Sequence, residues 1–157
     1  MSKVKTRTTK WIARATLIAA VAAGGYAAGA AGKTSTQLPA AEIKWDPYAP
    51  GVPLQVAKLW GDRTKGAYGM LLKLPAGFEA GFHAHTADYK AVLISGTWVH
   101  PDEGKDVAGS KELTPGSFVM QPGKVFHNDK CKEGSDCIVF VMQDAKGDFI
   151  PAPAPKK

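Results

Sequence analysis

The sequence lacks several short motifs that usually mark a particular chemistry. Its two cysteines, Cys131 and Cys137, are separated by five residues, so there is no Cys-x-x-Cys pair for a zinc knuckle or a thioredoxin-like site. There is also no glycine-rich phosphate loop, no Gly-x-Ser-x-Gly elbow and no recognisable set of paired carboxylates. These absences narrow the classes of function that remain.

Acidic residues are absent from the first thirty positions. Five positive charges there all precede an uncharged run over residues 15–32. This is the charge layout of a signal peptide, and Ala28 and Ala30 supply the small residues that a signal peptidase reads. We therefore predict a helical signal segment over residues 1–30 and a periplasmic or secreted protein. The alternative is an uncleaved membrane anchor, because 18 uncharged residues reach the lower limit for a bilayer span.

The positive net charge of the chain belongs to this leader. The formal charge is +6, but 15 basic residues face 14 acidic ones once the five leader charges are set aside. The remaining lysines are scattered among acids instead of forming a stripe, so the sequence predicts no nucleic-acid binding. About 127 residues would remain after cleavage, which is a common size for one domain.

Long helical periods are absent after the leader, and short apolar runs bounded by turn residues take their place. We predict a linker or N-terminal arm over residues 31–53, one domain over 54–150 and a disordered tail over 151–157. Strands are predicted at 54–60, 67–74, 89–95, 97–100, 117–121, 125–127 and 138–142. Short strands at this spacing favour an all-β antiparallel sandwich or barrel.

Four aromatic residues lie within these apolar runs, where such side chains more often fill a core than bind a ligand. They are Trp60, Tyr68, Phe118 and Phe140. We expect them to point into the barrel.

The most informative residues are three of the four histidines. His83 and His85 lie two positions apart, so on a strand their imidazoles would project from one face, and His127 follows 42 residues later. Neutral imidazole is a good ligand for Zn, Fe, Ni and Cu. The three rings could instead be ordinary polar or core residues. His100, which precedes Pro101 at a predicted strand end, is expected to have such an ordinary role.

The spacing around these histidines resembles the two motifs of the cupin superfamily. Gly77, His83, His85, Tyr89 and Gly96 follow the first motif, except that Tyr89 stands where the family has glutamate. Gly116, Pro122 and His127 follow the second motif, in which Lys124 and Cys131 replace the usual glycine and asparagine. The run His83–Tyr89 also resembles small exported single-domain cupins related to ChrR-like cupins.

This resemblance implies a cupin-type jelly-roll barrel with a divalent metal held by His83, His85 and His127. The metal could be Fe, Mn, Ni, Cu or Zn. The resemblance also implies a possible homodimer, because cupins often form dimers.

Tyr89 is the departure from the motif that matters most for the site. A neutral phenol leaves a divalent ion without the anionic oxygen that the family's glutamate provides. Tyr89 could bind the metal as phenolate, donate its hydroxyl hydrogen during turnover as a catalytic residue, or simply pack in the core. Asp88 would point to the opposite side of a regular strand and so should not replace the carboxylate.

Cys131 and Cys137 are close enough along an exported chain that a disulfide is the simplest expectation. The alternative is that Cys131, four residues after His127, is a free thiol that reaches the metal.

Two functional hypotheses follow. The first is a mononuclear-metal oxidoreductase, dioxygenase-like, that acts on a small and possibly anionic molecule through the three histidines. The second is a non-catalytic cupin that binds, senses or stores a small ligand or a metal. Hydrolysis or isomerisation with zinc is a third and less favoured possibility.

Overall fold

Short antiparallel strands joined by turns account for nearly all of the regular structure. The computed structural model describes residues 34–153, and residues from Leu38 onward form one unit. The predicted signal segment and residues 154–157 of the predicted tail lie outside the described residues. The strands are β1 (Asp46–Pro47), β2 (Gln55–Gly61), β3 (Tyr68–Leu74), β4 (His83–Ala84), β5 (Tyr89–Ser95), β6 (Trp98–Val99), β7 (Glu112–Leu113), β8 (Phe118–Gln121), β9 (Lys130–Cys131), β10 (Cys137–Gln143) and β11 (Ile150–Pro151).

The strands form three antiparallel sheets. The largest has six strands in the order β1-β2-β3-β10-β5-β8, the second has the order β7-β6-β9, and β11 pairs with β4. The one helical element between residues 34 and 153 is a 3-10 turn at Ala40–Glu42, and no helix in this range is long and apolar enough to cross a membrane. The prediction of an all-β antiparallel fold is confirmed.

Most strand boundaries lie within a residue or two of the predicted ones, but one predicted strand is missing. Residues 125–127 form no continuous strand, and His127 instead makes isolated bridges to His83 on one side and Asp102 on the other. The segment predicted as a linker contains β1, which pairs with β2, and the predicted tail begins with Pro151 of β11.

The inner face of the six-stranded sheet carries the core. Side chains alternate along each strand, and the buried residues of β3, β5 and β10 include Met70, Leu74, Leu93, Val139 and Val141. One row of aligned residues crosses four strands on this face and is polar. It consists of Tyr68, Gln143, Tyr89 and Gln121, all buried. This row places the Tyr89 ring inside the barrel.

Three of the four aromatic residues expected in the core, namely Trp60, Phe118 and Phe140, lie on the outer face of the sheet instead. Trp60 is 48% exposed and Phe118 is 60% exposed, whereas Tyr68 is buried as expected. The Trp60 ring lies over Gly69, where an added Cβ would come within 2.2 Å of the indole, and its centroid is 5.7 Å from that of Phe140. The rings of Trp60 and Phe140 therefore pack against each other across the strands and not against the core.

A disulfide joins Cys131 of β9 to Cys137 of β10, with both residues fully buried. The predicted pairing is therefore confirmed, and Cys131 has no thiol free to bind a metal. The bond links the three-stranded sheet, which contains β9, to the six-stranded sheet, which contains β10.

Lys124 is the one non-glycine residue among residues 34–153 with a positive φ, at 64°. A left-handed conformation costs an L-residue roughly 1–2 kcal/mol, while glycine loses about 0.5–1 kcal/mol more chain entropy on folding. We expect Lys124→Gly to stabilise the protein by about 0.5 kcal/mol in urea denaturation. Lys124→Ala, which removes the side chain but keeps the strain, should not stabilise it, and equal effects of the two variants would contradict this explanation.

Candidate metal centre

The backbone places His83 opposite His127. The two residues exchange hydrogen bonds in both directions, each with an N to O distance of 2.8 Å, so their side chains leave the strands on one face. The loop before His127 is fastened to the other histidine segment, because the Lys124 amide donates to the His85 carbonyl at 2.7 Å. Two distant parts of the sequence therefore meet at the site.

All three predicted histidines converge. The ring centroids of His83 and His127 are 4.4 Å apart, those of His83 and His85 are 5.0 Å apart, and those of His85 and His127 are 5.3 Å apart. One ring nitrogen from each residue lies within 4.8 Å of the others. A single ion can bridge such a set, since metal to imidazole bonds are about 2 Å long.

Backbone carbonyls fix which nitrogen of each ring is available. Nδ1 of His83 donates to the Gly81 carbonyl at 2.9 Å, Nδ1 of His85 to that of Asp148 at 2.5 Å, and Nδ1 of His127 to that of Val125 at 3.1 Å. A carbonyl can only accept, so each Nδ1 carries a hydrogen, and in the neutral ring Nε2 is then the nitrogen with the lone pair. Histidines that bind metals usually donate their other ring N–H to a carbonyl or carboxylate in this way.

The protonation state also fits a metal. Burial lowers the pKa of His127 to about 4 and lowers that of His85, so both rings are neutral at pH 7. Metal ligands must be in this state. The donor set of His83, His85 and His127 therefore fits a divalent ion.

Tyr89 lies beside the histidines. Its hydroxyl oxygen is 3.3 Å from Nε2 of His127, and its ring contacts that of His85 edge-on with centroids 5.3 Å apart. Burial, followed by the charge of Asp129, raises the pKa of Tyr89 well above its ordinary value. Without a bound metal, the residue is therefore a neutral phenol with a hydrogen to donate.

The sequence analysis missed a buried carboxylate in this cluster. Oδ2 of Asp129 lies 3.4 Å from Nε2 of His83 and 3.9 Å from Nε2 of His127. The expectation that the site would lack an anionic oxygen is therefore wrong. Asp88 behaves as expected, because its carboxylate accepts from the Gly123 amide at 2.7 Å. The sequence did carry one signal for this carboxylate. Asp129 lies two residues after His127, and that spacing places two side chains on the same side of an extended segment.

His100 lies in the same cluster of buried polar side chains, although the sequence analysis expected it to be an ordinary residue at a strand end. Its Nδ1 donates to Oδ1 of Asp129 at 2.8 Å and its Nε2 donates to Oε1 of Gln121 at 3.0 Å. The orientation of the Gln121 amide is fixed because its nitrogen donates to the Val125 carbonyl. His100 therefore donates through both nitrogens, as an imidazolium does.

Charge pairing explains the titration of this buried pair. Burial would lower the pKa of His100, but the charge and hydrogen bond of Asp129 outweigh it and raise that pKa. Burial would likewise raise the pKa of Asp129, but His100 holds it well below its usual range. Asp129 is consequently an anion inside the barrel.

The cluster opens onto a cavity of about 510 Å³. His83, His85, Tyr89 and Asp129 form part of its wall. Most of the remaining wall is apolar, with Leu54, Met70, Leu72, Phe78, Val139 and Phe149 among the lining residues. A cavity of this size and character suits a small, mainly apolar molecule bound next to the histidines.

The jelly-roll fold and the converging histidines define the class of this protein as a cupin. The chain belongs to the family described as Domain of unknown function (DUF4437), whose model matches residues 35–151. No curated protein matches the sequence.

Solved structures of several cupins are similar to this chain. An RmlC-like cupin from Ralstonia eutropha is 25% identical, with a TM-score of 0.59 over 74% of this chain and 72% of that one. The polyketide cyclase RemF from Streptomyces resistomycificus is 14% identical, with a TM-score of 0.63 over 78% and 89%. The DMSP lyase DddQ from Ruegeria pomeroyi is 17% identical, with a TM-score of 0.57 over 74% and 64%. The last two likenesses concern the fold alone.

Proposed function

We propose that this protein is an exported, mononuclear-metal cupin enzyme that acts on a small molecule in the central cavity. The observation that carries the proposal is the orientation of the histidines. His83, His85 and His127 each have Nδ1 tied to a carbonyl, which turns the three Nε2 atoms toward one another, and His83 and His85 line the apolar cavity. Orientation of this kind serves a bound ion, and the adjoining space serves a ligand of that ion.

The reaction we propose is oxidation of the small molecule by dioxygen. A redox-active ion such as Fe, Mn, Ni or Cu would supply the electron-transfer chemistry, and three imidazoles are suitable ligands for it. The chain's own groups would orient the molecule and exclude water. Tyr89 would donate its hydroxyl hydrogen toward an oxygen of the bound molecule, since it lies in the cavity wall and keeps that hydrogen.

Metal analysis together with oxygen uptake tests this proposal. The protein purified from the periplasm after metal-replete export should hold about one redox-active ion per chain, the stoichiometry of a single three-histidine site. It should consume dioxygen with at least one member of a panel of small carboxylic acids and enols. Metal binding and ligand binding without turnover would favour the non-catalytic binding protein, and a protein without metal would overturn both.

We further propose that the small molecule carries a negative charge, which Arg63 recognises. Arg63 lines the cavity, its guanidinium lies 4.3 Å from the centre of the Tyr48 ring, and one of its nitrogens donates to the Tyr48 carbonyl. The three acidic residues of the cavity wall all have partners. Glu79 bonds to Asn128 and Lys130, Asp129 to Trp98 and His100, and Asp148 to Thr86. Arg63 makes no ion pair with any carboxylate among residues 34–153, so its charge is available to a ligand.

Arg63→Gln should weaken the binding of a carboxylate ligand by about tenfold, because a charged hydrogen bond at a half-buried position contributes roughly 1.5 kcal/mol. The measurement is a calorimetric titration with a carboxylic acid that binds the wild type and with its neutral amide. Binding of the amide should not change, and Arg63→Lys should retain part of the preference for the acid. An equal loss for acid and amide would show that Arg63 only shapes the cavity.

A further inference from the structure

We infer that Asp129 is a fourth protein ligand of the metal, through Oδ2, and that Trp98 and His100 are the residues that position it. The inference rests on the proposed function, because it concerns the ion that His83, His85 and His127 would hold.

The first argument is that one carboxylate oxygen of Asp129 is fully engaged. Oδ1 accepts from Nε1 of Trp98 at 2.9 Å and from Nδ1 of His100 at 2.8 Å. Both donors are rigid rings inside the protein, so they fix the rotation of the carboxylate as well as its position. Gln121 in turn holds the far side of the His100 ring.

The second argument is the direction in which the other oxygen points. Oδ2 receives no donor from Trp98 or His100 and faces Nε2 of His83 and Nε2 of His127. The Nδ1 hydrogen of each of these two rings is used on a backbone carbonyl, so Nε2 is the nitrogen that each ring turns toward Asp129. A carboxylate oxygen and two imidazole nitrogens that converge in this way are a set of atoms that a shared cation would bind.

The third argument concerns charge. A divalent ion held by three neutral imidazoles brings a charge of about +2 into an interior of low dielectric constant, where an anionic oxygen is strongly favoured. Tyr89 occupies the glutamate position of the cupin motif, and a tyrosine there replaces a carboxylate with a phenol. Asp129 places a carboxylate at the same cluster from a different strand segment, two residues after His127. The negative charge missing at position 89 is thus supplied at position 129.

A structural ion pair between Asp129 and His100 is the competing explanation. It would account for the contacts of Oδ1 but gives Oδ2 no reason to face the histidine nitrogens. The two explanations differ in one respect that can be measured, because loss of a ligand changes the coordination number of a bound Co²⁺ and therefore the intensity and position of its visible absorption bands.

The test uses Co²⁺ as the probe, with binding and visible absorption measured on the full mature protein. Asp129→Asn keeps the size of the side chain and should weaken Co²⁺ binding at least 100-fold, since even residues outside the first coordination shell typically contribute 10–100-fold. It should also shift the absorption bands of the Co²⁺ that is loaded at high concentration. Glu79→Gln is the matched control, because Glu79 is another carboxylate of the cavity wall that contacts none of the three histidines, and it should change neither property.

Trp98→Phe tests the positioning role, because it removes one donor to Oδ1 and leaves both Asp129 and the histidines in place. We expect binding of Co²⁺ to weaken by about 10–100-fold. Circular dichroism of the metal-free variants establishes that they are folded.

The outcomes separate this inference from the function it rests on. If Asp129→Asn binds Co²⁺ with wild-type affinity and spectrum, Asp129 is no ligand, while the three-histidine site and the proposed enzyme stand. If the wild type binds no Co²⁺ at all, the metal site itself fails. If Trp98→Phe matches the wild type, Trp98 does not position the carboxylate.

Discussion

His85→Ala should bind metal at least 100-fold more weakly than the wild type and should be purified with almost none. The ring of His85 provides one of three converging nitrogens, and loss of a ligand costs more than the 10–100-fold typical of outer-shell changes. His85 is the most informative of the three positions because it is half-buried on the cavity wall. Its truncation enlarges an existing space and leaves the closed core intact. Isothermal titration with Co²⁺ or Zn²⁺ and elemental analysis measure the effect.

His127→Ala should lose metal equally but is the poorer test, since His127 is fully buried and its removal opens a void in the core. Metal-free His85→Ala should have nearly the thermal stability of the metal-free wild type. A variant that is folded and still binds one ion with wild-type affinity would show that His85 is not a ligand.

Removing the disulfide should have the largest effect on stability. We expect Cys131→Ala combined with Cys137→Ala to lower the free energy of unfolding by about 3 kcal/mol, within the usual range for a native disulfide. The ring it closes is short, so chain entropy accounts for about 2 kcal/mol. The remainder comes from packing lost around two fully buried sulfurs.

Reduction provides the control for this experiment. Dithiothreitol should lower the denaturation midpoint of the wild type toward that of the double variant and should leave the variant unchanged. If the wild type is equally stable in oxidising and reducing conditions, the bond contributes little and the effect of the variant is one of packing.

The strands, and the pairing of His83 with His85, could be predicted from the sequence because both depend on local geometry. Apolar runs ending at glycine or proline define strand ends locally, and β5 begins and ends where its run predicted. The His-x-His spacing likewise places two rings on one side of a segment through local geometry. His127 joined them only through the cupin resemblance, because the bridge between His83 and His127 is a long-range contact.

The remaining features depend on three-dimensional context. In β8 both faces are partly apolar, so the alternation does not reveal that Val119 faces inward and Phe118 outward. The role of Asp129 depends on Trp98 and His100, which lie about 30 residues earlier in the sequence. His100 by itself looks like an ordinary residue at a strand end. The pairing of β6 with β9 and the bridge between Asp102 and His127 bring these side chains together.

The main-chain oxygens of Gly81, Val125 and Asp148 that hold the imidazoles have an evolutionary consequence. Every amino acid has a main-chain carbonyl oxygen, so a mutation at any of these three positions can change the side chain there while the imidazole keeps its orientation. A lineage could therefore diverge widely around this pocket, acquiring new substrates, before it lost the capacity to capture an ion. Conservation among descendants would then be concentrated in the imidazoles themselves.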